Sequence, residues 1–346
     1  LMKKIGVIGR FGETRANGQT IKTENVTDEL IKTYGENEVM KISSGGGAKT
    51  ILKAPFQVVS SLKNCRNVLI FPAHNGVRVY APLLVFFRRF YKGRKIFYSV
   101  VGGWLADMLE KKKRLAATLK KFDALYVETT GLKERLESTG FTNVKLMPNF
   151  KAIKPLGEDE LVYPDSLPYR VCTFSRVMKQ KGIEDAVNAV KAVNEKAGAV
   201  VCALDIYGDV VAGEEEWFDT LKRDFPPYVR YKGAVDGNKS VGIIKNYFAL
   251  LFPTRFYTEG IPGTIIDAYA SGVPVISAAW QNVGDIVDDN VTGYVYGFGD
   301  ANGLETRLGY AIENADEFLK MKGAALVKAK SFSPERIMPT LTLDLE

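Results

Sequence analysis

The strongest constraint on the fold is a rhythm. Short apolar runs with strand character recur along the chain, and helical patterns fall between them. "KKIGVIG", "NVLIFPA", "KIFYSVV" and "ALYVET" are separated by segments such as "APLLVFFRRFYK" and "LADMLEKKKRLAATLKKF". Strands alternating with helices read as βαβ units in a parallel sheet. The polar loop "RFGETRANGQT" predicts a first helix from Ile21 to Tyr34. The rhythm stops at "LMPNFKAIKPLGEDELVYPDSLPYR", where four prolines and a run of acids suggest a linker. It then restarts with "YRVCTFS", "AVVCALDIYGD", "VRYKGAV", "YFALLFPT" and "VPVISA" as strands. The expected fold is α/β, with two Rossmann-like doubly wound domains facing across a cleft. The first would cover residues 1–153, completed by a C-terminal helix over 332–346, and the second residues 165–331. Ligands of such sheets bind beyond the carboxyl ends of the strands, and between two halves the cleft is the expected site.

Composition narrows the class. Apolar residues make up 46% of the 346 residues and charged residues 25%, so a disordered or collagen-like chain is excluded. No apolar run reaches the roughly 18–20 residues that span a bilayer. The opening "LMKKIGVIGRFG" is too short in its apolar part, and too broken by glycine, for a signal peptide. Cys65, Cys172 and Cys202 show no metal-binding spacing and read as reduced core thiols of a cytoplasmic protein.

The net charge of +7 is unevenly spread. Residues 51–100 hold nine Lys and Arg and no Asp or Glu, which suggests an anionic partner for the first half. Within it "PLLVFFRRFYKGRK" interleaves Phe86, Phe87, Phe90 and Tyr91 with cations. That pattern suits an anionic membrane surface, and equally the core face of a Rossmann helix. No helix-turn-helix, RNA-binding or zinc-finger pattern accompanies it, so nucleic acid is not the expected partner.

Two stretches carry candidate chemistry. In "TEGIPGTIIDAYASGVPVI", Glu259, Gly260, Ile261 and Pro262 precede an apolar helix, and Asp267 falls eight positions after Glu259. Proline suits a helix start, since its missing N–H would be unpaired anyway. The free N–H groups around Gly263 and Thr264, with the helix dipole, make an anion site. Asp267 then offers a carboxylate to a diol, as a ribose diphosphate requires. A capped helix with a part-exposed aspartate would carry the same letters. In "CTFSRVMKQKGIEDAVNAV", Arg176 and Lys181 lie between a strand end and a helix start, where a guanidinium fork and an ammonium can hold phosphate. Ordinary surface cations would also fit there.

"FSRVMKQKGIEDAVNAV", "LDIYGD", "VRYKGAV", "LLFPTRFYTEGIPGTIIDAYASGVPVISA" and "VGDIVDDNVTGYVY" follow one another in order. Over roughly residues 170–297 this series resembles the C-terminal half of retaining GT-B glycosyltransferases of family 4, the group 1 transferases. The resemblance implies that Arg176 and Lys181 hold the donor diphosphate. It implies that Glu259 faces the donor sugar and that Asp267 holds the ribose hydroxyls. The backbone from Gly260 to Thr264 would cover sugar hydroxyls and phosphate, and Gly233, Ala234 and Val235 would lie against the nucleobase. Gly18 and Gln19 would occupy the family's Gly-Gly loop before the first helix.

Three departures stand out. Asp267 replaces a second glutamate, Gln19 replaces a second glycine, and Val101, followed by Gly102 and Gly103, stands where the family often has a histidine. The only histidine, His74, would line the acceptor cleft with Gly102 and Gly103. The implied activity is metal-independent hexose transfer with retention, from a nucleoside-diphosphate sugar, UDP by family frequency. The acceptor would be lipid-linked or a saccharide, in bacterial surface polysaccharide synthesis at the inner face of the membrane. No cofactor or metal is expected. A nucleotide-sugar epimerase of the same fold and a non-catalytic subunit are the alternatives.

Overall fold

The computed structural model describes residues 2–12, 18–45 and 48–346. The chain divides into two compact units, Leu1–Ala152 with Pro334–Glu346, and Ile153–Ser333. In the first unit β1 (Lys3–Gly9), α1 (Gly18–Tyr34), β2 (Val39–Ser43), α2 (Ala48–Asn64), β3 (Cys65–Ile70) and α3 (His74–Phe87) follow in sequence. Then come β4 (Lys95–Ser99), α4 (Leu105–Lys111), α5 (Lys113–Leu119), β5 (Ala124–Val127), α6 (Thr130–Ser138) and β6 (Val144–Leu146). The strands form a parallel sheet in the order β2-β1-β3-β4-β5-β6. "GVIG" of β1 and all of β5 are buried, as expected of strands covered on both faces.

The second unit repeats the plan. It contains β7 (Tyr169–Phe174), α7 (Ile183–Ala197), β8 (Cys202–Tyr207), α8 (Glu215–Arg223), β9 (Val229–Gly233), α9 (Ser240–Ile244) and β10 (Ala249–Phe252). After these come α10 (Gly263–Ala270), β11 (Val275–Ala278), β12 (Gly293–Tyr296), α11 (Gly303–Glu313) and α12 (Ala315–Ala329). Its sheet runs β12-β11-β10-β7-β8-β9, all parallel. In α7, Ile183, Ala186, Val187, Val190 and Val193 recur at helical spacing and are all buried; this stripe packs the helix on the sheet.

Two short helices, α13 (Pro334–Ile337) and α14 (Pro339–Leu345), belong to the first unit. Ile337, Met338, Leu341 and Leu345 join its core beside Phe97 and Tyr126. The Tyr126 hydroxyl donates to Asp344 at 2.6 Å, and Asn67 Nδ2 donates to the Leu345 carbonyl at 3.3 Å.

The stretch read as a linker is packed against the second unit. Leu156 N–H donates to the Ala270 carbonyl at 2.9 Å, and the Lys322 ammonium lies 5.9 Å from the centre of the Tyr163 ring. Lys322 is fully buried, and its one hydrogen-bond acceptor among the described residues is the Gly272 carbonyl at 3.1 Å. Burial therefore pulls its pKa down to about 8. A lysine whose folded pKa is lowered binds fewer protons folded than unfolded between that value and its usual 10.5. Its cost is fully present below pH 8 and is relieved as pH rises toward 10.5. Lys322→Met is expected to raise stability at pH 7 by about 2–3 kcal/mol and to flatten that pH dependence. Thermal melts of both proteins across pH 7–10 check this.

The three cysteines are free and buried. Burial pushes the thiols of Cys65 and Cys202 up to about 11 and about 12, away from reactive thiolate.

Candidate active site

In the second unit, chain order reverses direction between β7 and β10. From β7 the chain moves outward through β8 to β9, then returns to place β10 on the other side of β7. The loops after β7 and β10 must diverge there, and doubly wound sheets bind ligands at this switch point. The β7 loop carries Arg176 and Lys181, and the β10 loop carries Glu259.

The two loops are stitched together. Arg255 N–H donates to the Gln180 carbonyl at 2.8 Å, and the Arg255 guanidinium forks onto Asp185 of α7 at 2.8 and 2.5 Å. Gly182, at φ 67°, backs directly onto Pro253; a Cβ on it would lie 1.9 Å from the Pro253 carbonyl oxygen. The result brings Lys181 and Glu259 into contact. The ammonium donates to both carboxylate oxygens at 3.0 and 2.8 Å. The Phe252 and Phe256 rings flank it, with centroids 5.4 and 5.2 Å away. The Thr254 hydroxyl donates to Glu259 Oε2 at 3.1 Å. Arg176, in the same β7 loop, is exposed.

Helix α10 starts beyond Glu259. Pro262 sits one residue earlier than a first-turn proline, as the extended N-cap at φ −72°, ψ 123°. Gly260, Ile261 and Pro262 are buried, while Gly263 and Thr264 are half-buried. The Thr264 hydroxyl is buried with no partner. Asp267 lies one turn in and is buried, more enclosed than a part-exposed aspartate. Gly233 closes β9 at φ 74°, with open space where a Cβ would project, followed by exposed Ala234 and half-buried Val235. Between β10 and β9 lie three strand spacings, about 14 Å. Glu214 precedes α8, and exposed Glu215 and Glu216 open it.

The first unit's own switch point lies between β1 and β3; Gly18 and Gln19 follow β1 and His74 follows β3, while Gly102 and Gly103 follow the next strand, β4. Gly18 and Gln19 are the first two residues of α1, not loop residues preceding it; residues 13–17 of the expected loop lie outside the described residues. The Gln19 amide donates to the Phe71 carbonyl just past β3, so the longer side chain ties α1 to the neighbouring loop. His74 opens α3, exposed, and stacks on Trp104 at 3.8 Å and 24°. Partial burial holds its pKa below the usual histidine value.

Gly102 N–H donates to Glu128 Oε2 at 3.0 Å, and buried Gly103 follows it. The other oxygen of Glu128 accepts from Lys22 Nζ at 2.8 Å. Lys22 also donates to the Met147 carbonyl at 3.4 Å. Both side chains are almost sealed, 1% and 3% exposed. Desolvation lowers the Lys22 pKa despite its partner. This network was not read from the sequence, because its members are 106 positions apart and no local pattern links them. Arg255, Asp185 and Gly182 were also missed. Only the glycine directly after Lys181 offered a signal.

The comparisons bear on this geometry. Residues 168–314, which hold β7 through α11 and every second-unit site residue named above, match the family model described as Glycosyl transferases group 1. Residues 168–314 are a glycosyl transferases group 1 domain. A stretch of 144 residues is 25% identical to the amylovoran biosynthesis glycosyltransferase AmsK of Erwinia amylovora. The match takes 40% of this chain and 34% of that protein, so the chain covers about a third of the length of this curated relative. The fold is similar to that of Anabaena HepE in complex with UDP and glucose, at TM-score 0.75 and 14% identity over 100% of this chain and 99% of the other. It is also similar to the lipopolysaccharide outer core galactosyltransferase WaaB, at 0.73 and 17% over 99% of both chains. Two units, each a parallel six-stranded sheet flanked by helices, are the GT-B fold. No helix among the described residues is long and apolar enough to cross a membrane.

Proposed function

We propose that the group 1 domain binds a nucleoside-diphosphate sugar, most simply a UDP-sugar, and that the chain transfers its hexose with retention and without a metal ion. The acceptor is a lipid-linked or free saccharide of bacterial surface polysaccharide synthesis, met at the inner face of the cell membrane. The observation that carries the reading is the Lys181–Glu259 pair at the β7/β10 switch point. The β7 loop that carries Lys181 also carries exposed Arg176, and the β10 loop that carries Glu259 leads into a helix start with an unpartnered Thr264 hydroxyl.

The roughly 14 Å from β10 to β9 suits a nucleoside diphosphate lying across strand ends. The base rests on Gly233–Val235 and the ribose on Asp267. The diphosphate meets Arg176, Lys181 and the α10 N–H groups of Gly263 and Thr264. As the sugar–phosphate bond breaks, negative charge grows on the diphosphate, and a fixed positive field stabilises it. Glu259 holds Lys181 in place before the donor arrives and then faces the sugar beside Gly260 and Ile261. His74, Gly102 and Gly103 serve the acceptor from the first unit. The HepE structures with UDP, with UDP-glucose and with UDP and glucose support UDP as the first nucleotide to try.

The test is thermal stabilisation by UDP, GDP, dTDP and ADP. One of them is expected to stabilise the wild type by about 2.7 kcal/mol at 100 times its dissociation constant. The variant carrying Arg176→Ala and Lys181→Ala is expected to lose that shift. If no nucleotide stabilises the wild type, the donor reading fails.

A further inference from the structure

The aromatic and basic segment at the end of α3 and just beyond it plays no part in the site above. In the structure its rings divide. Phe87 and Tyr91 pack on the first unit's core. Phe86 and Phe90 point outward, 49% and 70% exposed. Their rings touch edge to face at 5.9 Å, and Phe86 also meets Phe87 at 5.1 Å, so the outward pair is braced from within. A shallow pocket beside them is lined by Arg88, Arg89, Lys92 and Lys121, together with Val85 and Tyr91. Asp123 accepts from Arg88 at 3.0 Å; no carboxylate lines the pocket.

The charge around this face is lopsided on a larger scale. The first unit holds 28 Lys and Arg against 15 Asp and Glu, a net of +13, while the second unit nets −6. The face lies at the amino-terminal edge of the sheet, because α3 runs from the carboxyl end of β3 back to the start of β4. His74 and Gly102 are at the opposite edge.

We infer that this face is a docking surface for an anionic phospholipid bilayer. Phe86 and Phe90 enter the headgroup boundary, and Arg89, Lys92 and Lys121 receive lipid phosphates. Aromatic rings are favoured at that depth because their apolar bodies leave water there, and each Lys or Arg near an anionic surface adds attraction. A nucleic-acid backbone would satisfy the cations but leave two protruding phenylalanines in water. The inference does not depend on the donor site. It does say how the chain could reach a lipid-linked acceptor while the carboxyl edge of the sheet stays uncovered.

Vesicle sedimentation tests it. The probes are phosphatidylcholine vesicles with and without about one third phosphatidylglycerol, the anionic lipid being what attracts basic residues. The wild type is expected to pellet with the mixed vesicles, to stay in solution with phosphatidylcholine alone, and to be released by raised salt. Arg89→Ala with Lys92→Ala should weaken the partition about 25-fold, a factor of about five per cation. Phe86→Ser with Phe90→Ser should weaken it about tenfold.

Both double variants change exposed side chains only, and unaltered thermal melts establish that they are folded. Overturning results are a wild type that ignores the mixed vesicles and variants that bind them as the wild type does. Tighter binding to a DNA oligonucleotide than to the vesicles would also overturn it. Nucleotide stabilisation is read separately. If UDP shifts both variants as it shifts the wild type, the two surfaces are independent. Loss of vesicle binding then leaves the donor reading untouched, and the reverse also holds.

Discussion

Replacing Glu128 by leucine while Lys22 remains should cost the first unit about 3–5 kcal/mol of stability. Lys22 is 1% exposed, and the Met147 carbonyl at 3.4 Å is a poor substitute for a carboxylate at 2.8 Å. An ammonium left uncompensated in such a place must lose its proton or open the structure to water. Lys22→Met alone should cost less, since Glu128 keeps the Gly102 N–H. The double variant, Lys22→Met with Glu128→Leu, should recover most of the loss, because an apolar pair of similar volume carries no desolvation penalty. The measurement is chemical unfolding followed by probes confined to the first unit, as two units need not unfold in one step. A double variant as unstable as Glu128→Leu would show that the pair does more than neutralise itself. Glu128→Leu should also free the Gly102 N–H and speed hydrogen exchange there.

Gly182→Ala should have the largest effect on nucleotide binding of any change outside the residues expected to touch it. Gly182 and Gly198 bracket α7 with nearly the same left-handed backbone, φ 67° and 66°. Their surroundings differ completely. A Cβ at Gly198 meets nothing within 4 Å, whereas at Gly182 it would lie 1.9 Å from the Pro253 carbonyl oxygen and 2.8 Å from its carbon. Gly198→Ala should therefore cost only the conformational term, about 1–2 kcal/mol. Gly182→Ala carries the same term and also forces the β7 and β10 loops apart. Moving Lys181 off a donor phosphate would lose a charge-assisted hydrogen bond of about 1.5–3 kcal/mol, so UDP affinity is expected to fall roughly 10- to 150-fold. Calorimetric titration of both variants with UDP separates the effects. Equal losses in the two variants would mean that the loop contact is not what positions Lys181.

The sequence shows the architecture because a buried parallel strand declares itself locally. "ALYV" and "ALLF" are apolar throughout and fully buried, and the helices between such runs repeat apolar residues at helical spacing. The second unit's motifs are equally local, and Arg176, Lys181, Glu259 and Asp267 all fall in the group 1 domain. What holds those residues in place is not local. Pro253 is an unremarkable proline until Gly182 is seen against it, and Arg255 reads as a surface cation until it forks onto Asp185. The aromatic segment shows the same limit differently. Of neighbouring Phe86 and Phe87 one is exposed and the other packs on the core, and the rotation of about 100° from one helical residue to the next decides which.

The return of the chain to the first unit sets a schedule for its synthesis. Ile337, Met338, Leu341 and Leu345 are core residues of a unit whose other part ends at Ala152. At about 5–20 residues per second, a ribosome spends roughly 10–35 s on residues 153–333. During that interval Phe97 and Tyr126 lack their last neighbours, while the second unit is completed from contiguous chain. The half that begins first thus closes last, and its nascent form is the one a chaperone or a protease would meet.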